Sequence, residues 1–153
     1  MKKMSQEELD QVLQQHELWV ESGGVQGARA DLSRINLSHA HLSGAQLSYA
    51  DLSCAQLAGA NLTCADLSGA QLSGAWLYEA DLSGADLSHV DLTGAWLFHA
   101  NLTGAQISAA TRLHQCLNFK HLTCSPDTLP WLILHPKWAQ WKSTVKVIKD
   151  NQE

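Results

Sequence analysis

A period of five governs the middle of this chain. From Leu32 to Leu102 every fifth residue is leucine, and Ile107 takes the last such place. The residue two before each of these is alanine, with Ile35 and Val90 as the exceptions. Sixteen consecutive blocks over 30–109 are built on the pattern Ala-(Asp/Asn/Gln)-Leu-(Ser/Thr)-x, and nine of them match it at every place. A helix brings a face round every 3.6 residues and a strand every 2, so neither element fits a period of five. Self-similarity of this kind means stacked units, none of which buries its apolar face alone.

The residue types suggest how the units stack. Alanine and leucine, two apart, point to the same side of an extended segment, and the polar residue between them points away. The Ser/Thr-Gly that often follows suits a tight turn. A turn of about 90° after every block sends the leucines to a common axis and closes a twenty-residue coil. Stacked coils would then pair like strands at about 4.8 Å per coil, so four coils rise about 19 Å. Each buried leucine contributes about 1.5–3 kcal/mol, which builds a core almost free of aromatic rings.

The block pattern resembles the pentapeptide repeat family, whose signature is A-(D/N)-L-x-x. The resemblance covers residues 30–109 and implies a right-handed quadrilateral β-helix. The flanking segments 16–24 and 129–132 are similar to cyanobacterial members. The fold class expected is therefore an all-β solenoid of about four coils, with a helical N-terminal cap and a mixed, partly helical C-terminal cap. The resemblance implies no catalytic or cofactor-binding residues.

The boundaries expected are 1–24 for the N-terminal cap, 25–110 for the repeat and 111–153 for a Trp-rich C-terminal cap. Ser5 followed by Glu8 predicts a capping box opening a helix over 5–21. Leu9, Val12, Leu13, His16, Trp19 and Val20 form its apolar face, and Ser22-Gly23-Gly24 ends it. Val25 and Gly27 fall at alanine and leucine places, which predicts an imperfect start to the first coil. Beyond 110, Arg112 sits where leucine belongs, while Leu117 and Leu122 return to register and suggest a frayed fifth coil. Residues 129–134 read as a short helix, Trp138 and Trp141 as the start of another turn, and 143–148 as a strand.

Folding the sequence by twenty gives vertical columns. Three faces carry polar columns, led by Asp31, His41 and Gln46, and read as solvated ladders. The fourth is different. Its outward places hold Asn36, Gln56, Trp76 and Trp96, with Ser38, Ala58, Tyr78 and Phe98 beside them. Trp76 should lie over Trp96 and Tyr78 over Phe98. Glu79 and His99 share the next column and are placed to form a hydrogen-bonded pair. Exposed aromatic clusters mark interaction sites, so Trp76, Tyr78, Trp96, Phe98, Glu79 and His99 are the candidate protein-binding residues. The other reading is that the chain's own tail covers them.

The chemistry of an enzyme is missing from the sequence. No His-Glu-x-x-His or Gly-x-Ser-x-Gly motif occurs, and a coil filled by leucine leaves no interior cavity. No metal or cofactor site is expected. The four cysteines include no Cys-x2-Cys pair, and Cys54 and Cys64 stand half a coil apart, too far for a disulfide. Cys116 and Cys124 either pair or remain free. The longest strongly apolar run, 131–134, is far short of a membrane span, and the N-terminus lacks a signal-like run. A cytoplasmic monomer or homodimer with an unidentified protein partner is the expectation.

Some members of the family bind DNA gyrase by imitating duplex DNA, which the resemblance brings in as the alternative. Residues 30–109 hold six Asp and one Glu against one Arg, a net of −6. Duplex DNA of about 19 Å carries about 11 charges. Half the density, on a short stack interrupted by tryptophans, makes mimicry the runner-up. No basic patch on the stack suggests direct nucleic-acid binding. The inward register itself has a clear test. Asp in place of Leu67 or Leu87 buries an unpaired charge and abolishes cooperative thermal melting, read by circular dichroism.

Overall fold

A computed structural model describes residues 2–108, 111, 122–124, 130 and 138–147. Within the repeat the chain returns over itself every twenty residues. Parallel bridges join Asp31 to Asp51, Asn36 to Gln56, His41 to Asn61 and Gln46 to Asp66, and the same step continues to Gln106. The leucine N–H donates to the layer above, as Leu32 does to the Asp51 carbonyl at 2.8 Å. The Asp51 N–H donates back to Ala30 at 3.0 Å. Regular sheet is scant, because each bridge is flanked within two residues by a turn.

The turns explain the five-residue period. Every fifth residue from Arg34 to Gly104 has a left-handed φ between 56° and 70°. The following alanine N–H donates to the preceding leucine carbonyl, as from Ala40 to Leu37 at 3.0 Å. A positive φ at the third position with this return bond is the signature of a type II turn. Several of these corners are not glycine, and Tyr49 is the bulkiest. Its ring lies across Gly69 in the next layer, where a Cβ would come within 2.7 Å of the ring carbons. Gly69 therefore answers two demands, its own φ of +67° and the space Tyr49 occupies.

The expected solvated ladders turn out to be structural. In all six repeat aspartates, Oδ1 accepts the N–H of the residue two ahead, from Ser33 to Asp31 through Thr93 to Asp91. Asn36, Asn61 and Asn101 do the same. This local bond fastens the chain just before each corner and favours Asp and Asn over longer side chains. The two bonds from Ser33 hold the Asp31 carboxyl below its ordinary range. The core is the one expected: Leu32 through Leu102 and most of the alanines are buried.

The N-terminal segment holds an element that the periodicity did not reveal. β1 (Lys2–Lys3) pairs in parallel with β2 (Ile35–Asn36) and lies along the edge of the first layer. α1 (Gln6–Glu21) follows, opened by the expected Ser5–Glu8 capping box and closed at Ser22. Leu9 and His16 are its buried residues, and Leu9 joins the leucine core. Residues 25–29 do not begin a coil, contrary to their register. Val25 is 83% exposed, and the first inter-layer bridge is at Asp31. Gly27 instead lets the chain press on α1, where a Cβ would meet the Gln15 carbonyl at 2.1 Å. The neighbouring Ala28 N–H donates to that same carbonyl at 3.0 Å.

Above the fourth layer the register changes. β3 (Asn101–Leu102) pairs with β4 (Thr123–Cys124), placing Cys124 against Leu102. That step is twenty-two residues, so Leu122, although buried, is not in the leucine column as its spacing suggested. β5 (Lys146–Val147) then pairs with β4, within the segment expected as a strand. α2 (Trp138–Trp141) precedes it, and Trp138 is half-buried against the core. Cys124 is free and buried, and its burial pushes the thiol up to about 11. Leu117, Cys116, Trp131 and all of the 129–134 helix but Pro130, which is helical, lie outside the described residues.

Two predictions test these local devices. Gln56 stands where Asn36 makes its turn bond, one methylene too long to do so. Gln56→Asn adds that bond and stabilises by about 1 kcal/mol, read as a higher melting temperature. The second concerns His16, whose Nδ1 accepts the Ala30 N–H at 3.1 Å. The proton is therefore on Nε2, which is buried beside the Ser48 backbone. Burial lowers the His16 pKa, against an opposing pull from the Ser48 backbone, and Arg29 lowers it further. The unfolded chain then binds a proton more readily than the folded one, so stability is full above about 6.5 and falls as pH drops below it. Melting temperature measured against pH should show this loss, and His16→Gln should flatten it.

Candidate functional site

The aromatic group occupies the fourth face, on the two layers farthest from α1. Trp76 and Trp96 replace the Asp or Asn of the block, so neither supplies a turn bond to Tyr78 or Phe98. Their backbones bridge in register, one layer apart. The rings do not form the two simple stacks that the columns suggested. Tyr78 is the hub, with its ring 6.4 Å from Trp76, 6.1 Å from Trp96 and 6.3 Å from Phe98. The contacts with Trp76 and Phe98 are edge-on, the geometry that ring quadrupoles favour. Trp76 is 44% exposed, while Tyr78, Trp96 and Phe98 are half-buried.

Glu79 and His99 lie at left-handed corners with φ of 56° and 59°, and both are exposed. No hydrogen bond joins them among the described residues. His99 instead sets its ring edge-on to Phe98, with centroids 4.3 Å apart. The corner geometry accounts for this: the side chain leaves the backbone beside the preceding residue of its own layer. The expected pair is thus replaced by an aromatic contact, and Glu79 is left at the rim.

Other polar clusters are few. Among the described residues no group of three His, Cys, Asp or Glu is placed to hold a metal ion, and no helix is long and apolar enough to cross a membrane. Cys54 and Cys64 are free and exposed, each at a corner. A cleft of about 440 Å³ lies between β1, α1 and residues 28–31, with Lys2, Glu8, Arg29 and Asp31 among its lining. Sequence reasoning missed this cleft because it depends on β1, whose two lysines carry no strand signal.

Tyr78 holds the aromatic group together, whereas Trp76 lies at its edge. Tyr78→Ala should therefore destabilise by about 2–3 kcal/mol, clearly more than Trp76→Ala, in paired denaturant titrations.

The comparisons with known proteins agree with this architecture. The family profile for pentapeptide repeats matches in eight copies over residues 28–63 and 65–104. The solved pentapeptide repeat protein Rfr23 of the cyanobacterium Cyanothece 51142 is 37% identical, with a TM-score of 0.60 over 65% of this chain and 67% of that one. A pentapeptide repeat protein of the Arabidopsis thaliana thylakoid lumen is 35% identical, with a TM-score of 0.59 over 61% of this chain and 64% of that one. The chain thus spans just under two thirds of the plant protein's length. No curated protein matches the chain. The repeating block, the twenty-residue register and these likenesses together place the chain in the pentapeptide repeat family, whose known structures are right-handed quadrilateral β-helices.

Proposed function

We propose that the chain is a non-catalytic protein-binding module. Its partner surface is the aromatic group of Trp76, Tyr78, Trp96 and Phe98, with Glu79 and His99 at the rim. One observation carries the reading. Trp76 is a large apolar side chain, 44% exposed, at a block position that is polar everywhere but here and at Trp96, and whose Asp and Asn residues fasten the turn. Tryptophan is among the residues that dominate binding energy when buried against a partner.

The scaffold supports this role. The segment under Trp76 and Tyr78 is tied by backbone bonds to the layers on either side, as from the Trp76 N–H to the Ala55 carbonyl and from the Leu77 N–H to the Trp96 carbonyl, so the surface is preformed and loses little entropy on binding. In this reading the stack is a right-handed quadrilateral β-helix, with β1 and α1 capping one end and the segment carrying β4, α2 and β5 capping the other. The charge pattern favours the aromatic face over duplex-DNA imitation. The aspartates spread unevenly round the stack, and the column of Asn36, Gln56, Trp76 and Trp96 has none.

Affinity capture from a lysate of the source organism tests the reading. The baits are the wild type and a Trp76→Ser/Trp96→Ser variant shown by circular dichroism to remain folded. A protein retained by the wild type alone supports the aromatic surface. Equal capture by both baits overturns it. A gyrase subunit retained by both, and lost on Asp66→Asn/Asp86→Asn, would establish the alternative.

A further inference from the structure

The first layer has no layer beneath it, and at one corner a side chain of α1 takes the missing layer's place. In the repeat, the N–H that opens a block donates to the leucine carbonyl three residues back, as from Ala50 to Leu47 at 3.0 Å. For Ala30 the residue three back is Gly27, and the N–H donates instead to Nδ1 of His16 at 3.1 Å. The carbonyl at the fourth place of a block accepts a corner N–H from the layer below, as Ser68 does from Tyr49 at 2.9 Å. Ser48 stands at that place in the first layer. His16 Nε2 lies beside its backbone, which draws the ring towards protonation as a carbonyl does. Ser48 is buried, whereas Ser43, at the same place one block earlier, is exposed.

The neutral ring fits this corner and the charged ring does not. Neutral imidazole accepts at one nitrogen and donates at the other; imidazolium donates at both and sets an N–H against the Ala30 N–H. The surrounding charges do not help it. Arg29, on the segment entering the layer, acts against a second positive charge. The carboxylates of α1, Glu17 the nearest in sequence, are exposed, and Tyr49 on the stack is an exposed phenol, neutral near pH 7. The cost of protonation therefore falls on the docking of α1. This helix rests on the stack through Leu9, Val12, Leu13 and His16, and its Gln15 carbonyl accepts the Ala28 N–H. The layers are bridged to one another on all four faces. An element held by fewer bonds opens before the whole unfolds. Trp19 reports on the site, because its indole stacks on His16 at 5.6 Å and 13° and lines an open cleft of about 240 Å³ beside Tyr49.

We propose that His16 is an acid-operated latch, whose protonation releases α1 from the base of the stack while the layers above stay folded. Release lifts Leu9 from the leucine column and opens the edge of the first layer. The test is amide hydrogen exchange of labelled full-length protein, corrected for intrinsic rates, from about pH 7.5 down to about pH 5, above the range in which carboxylates titrate. The Ala30 amide should lose protection below about pH 6.5, by up to about tenfold per pH unit, because opening takes up one proton. The Leu67 and Leu87 amides, bonded to the Asp86 and Gln106 carbonyls, should keep theirs. The Trp19 indole Nε1–H signal should move over the same range. His16→Gln accepts and donates without titrating, and should make Ala30 protection independent of pH. Should that variant leave α1 undocked even at about pH 7.5, the ring signals of His16 in the wild type decide, since the loss at Ala30 must follow their titration. Parallel loss at Ala30 and Leu67 overturns the proposal, as does a loss that ignores the His16 ring or persists in a docked His16→Gln.

Discussion

The left-handed corner after each leucine is the constraint on which the rest depends. It turns the chain after only a few residues, so no strand grows long enough to form an ordinary sheet. It also brings each leucine side chain to the same inner column and lifts the next block into register with the layer below. The return bond from alanine to leucine closes the corner, and the Asp or Asn side chain fastens the approach to it. Leucine burial supplies the driving force, but the corner decides where the leucines go. Many corners are held by residues other than glycine, at a local conformational cost, and the bonds of neighbouring layers keep them there.

Regularity makes departures informative. Trp76 and Trp96 abandon the turn bond for aromatic bulk, and Tyr78 draws the resulting rings into one group. Tyr49 keeps a bulky ring at a strained corner beside Trp19. In both places an aromatic residue occupies a position where the repeat has a simpler solution. The two places lie at opposite ends of the stack and differ in kind. One is a group of four rings with Trp76 at its edge, and the other a small cleft where α1 ends.

Much of this was legible in the sequence, for a physical reason. A period of five with leucine at its centre leaves few ways to bury the leucines, so the twenty-residue register and the core followed directly. Helix α1 was legible because Ser5, Glu8 and the Gly23-Gly24 end are local signals. The aromatic face was legible as a column, yet its ring packing was not, because side-chain rotamers depend on neighbours in three dimensions. β1 was hidden because Lys2 and Lys3 have no strand preference, and their pairing comes from the open edge they cover. The step of twenty-two residues at β4 escaped because Leu122 keeps the spacing while Cys124 takes the place. Residues 25–29 matched the period, but contact with α1 overrode it.

The bonds between layers run along the axis of the stack, and this has a mechanical consequence. In many β proteins a pull on the two ends shears several strand pairs at once, and the load is shared. Here β1 belongs to one end of the stack and β5 to the other. Tension between the termini therefore falls on the outermost layer first and opens it as a zipper opens, before the next layer bears load. Each layer lost leaves a new edge much like the old one, since its neighbours hold by the same few bonds. Such a stack yields to traction piece by piece.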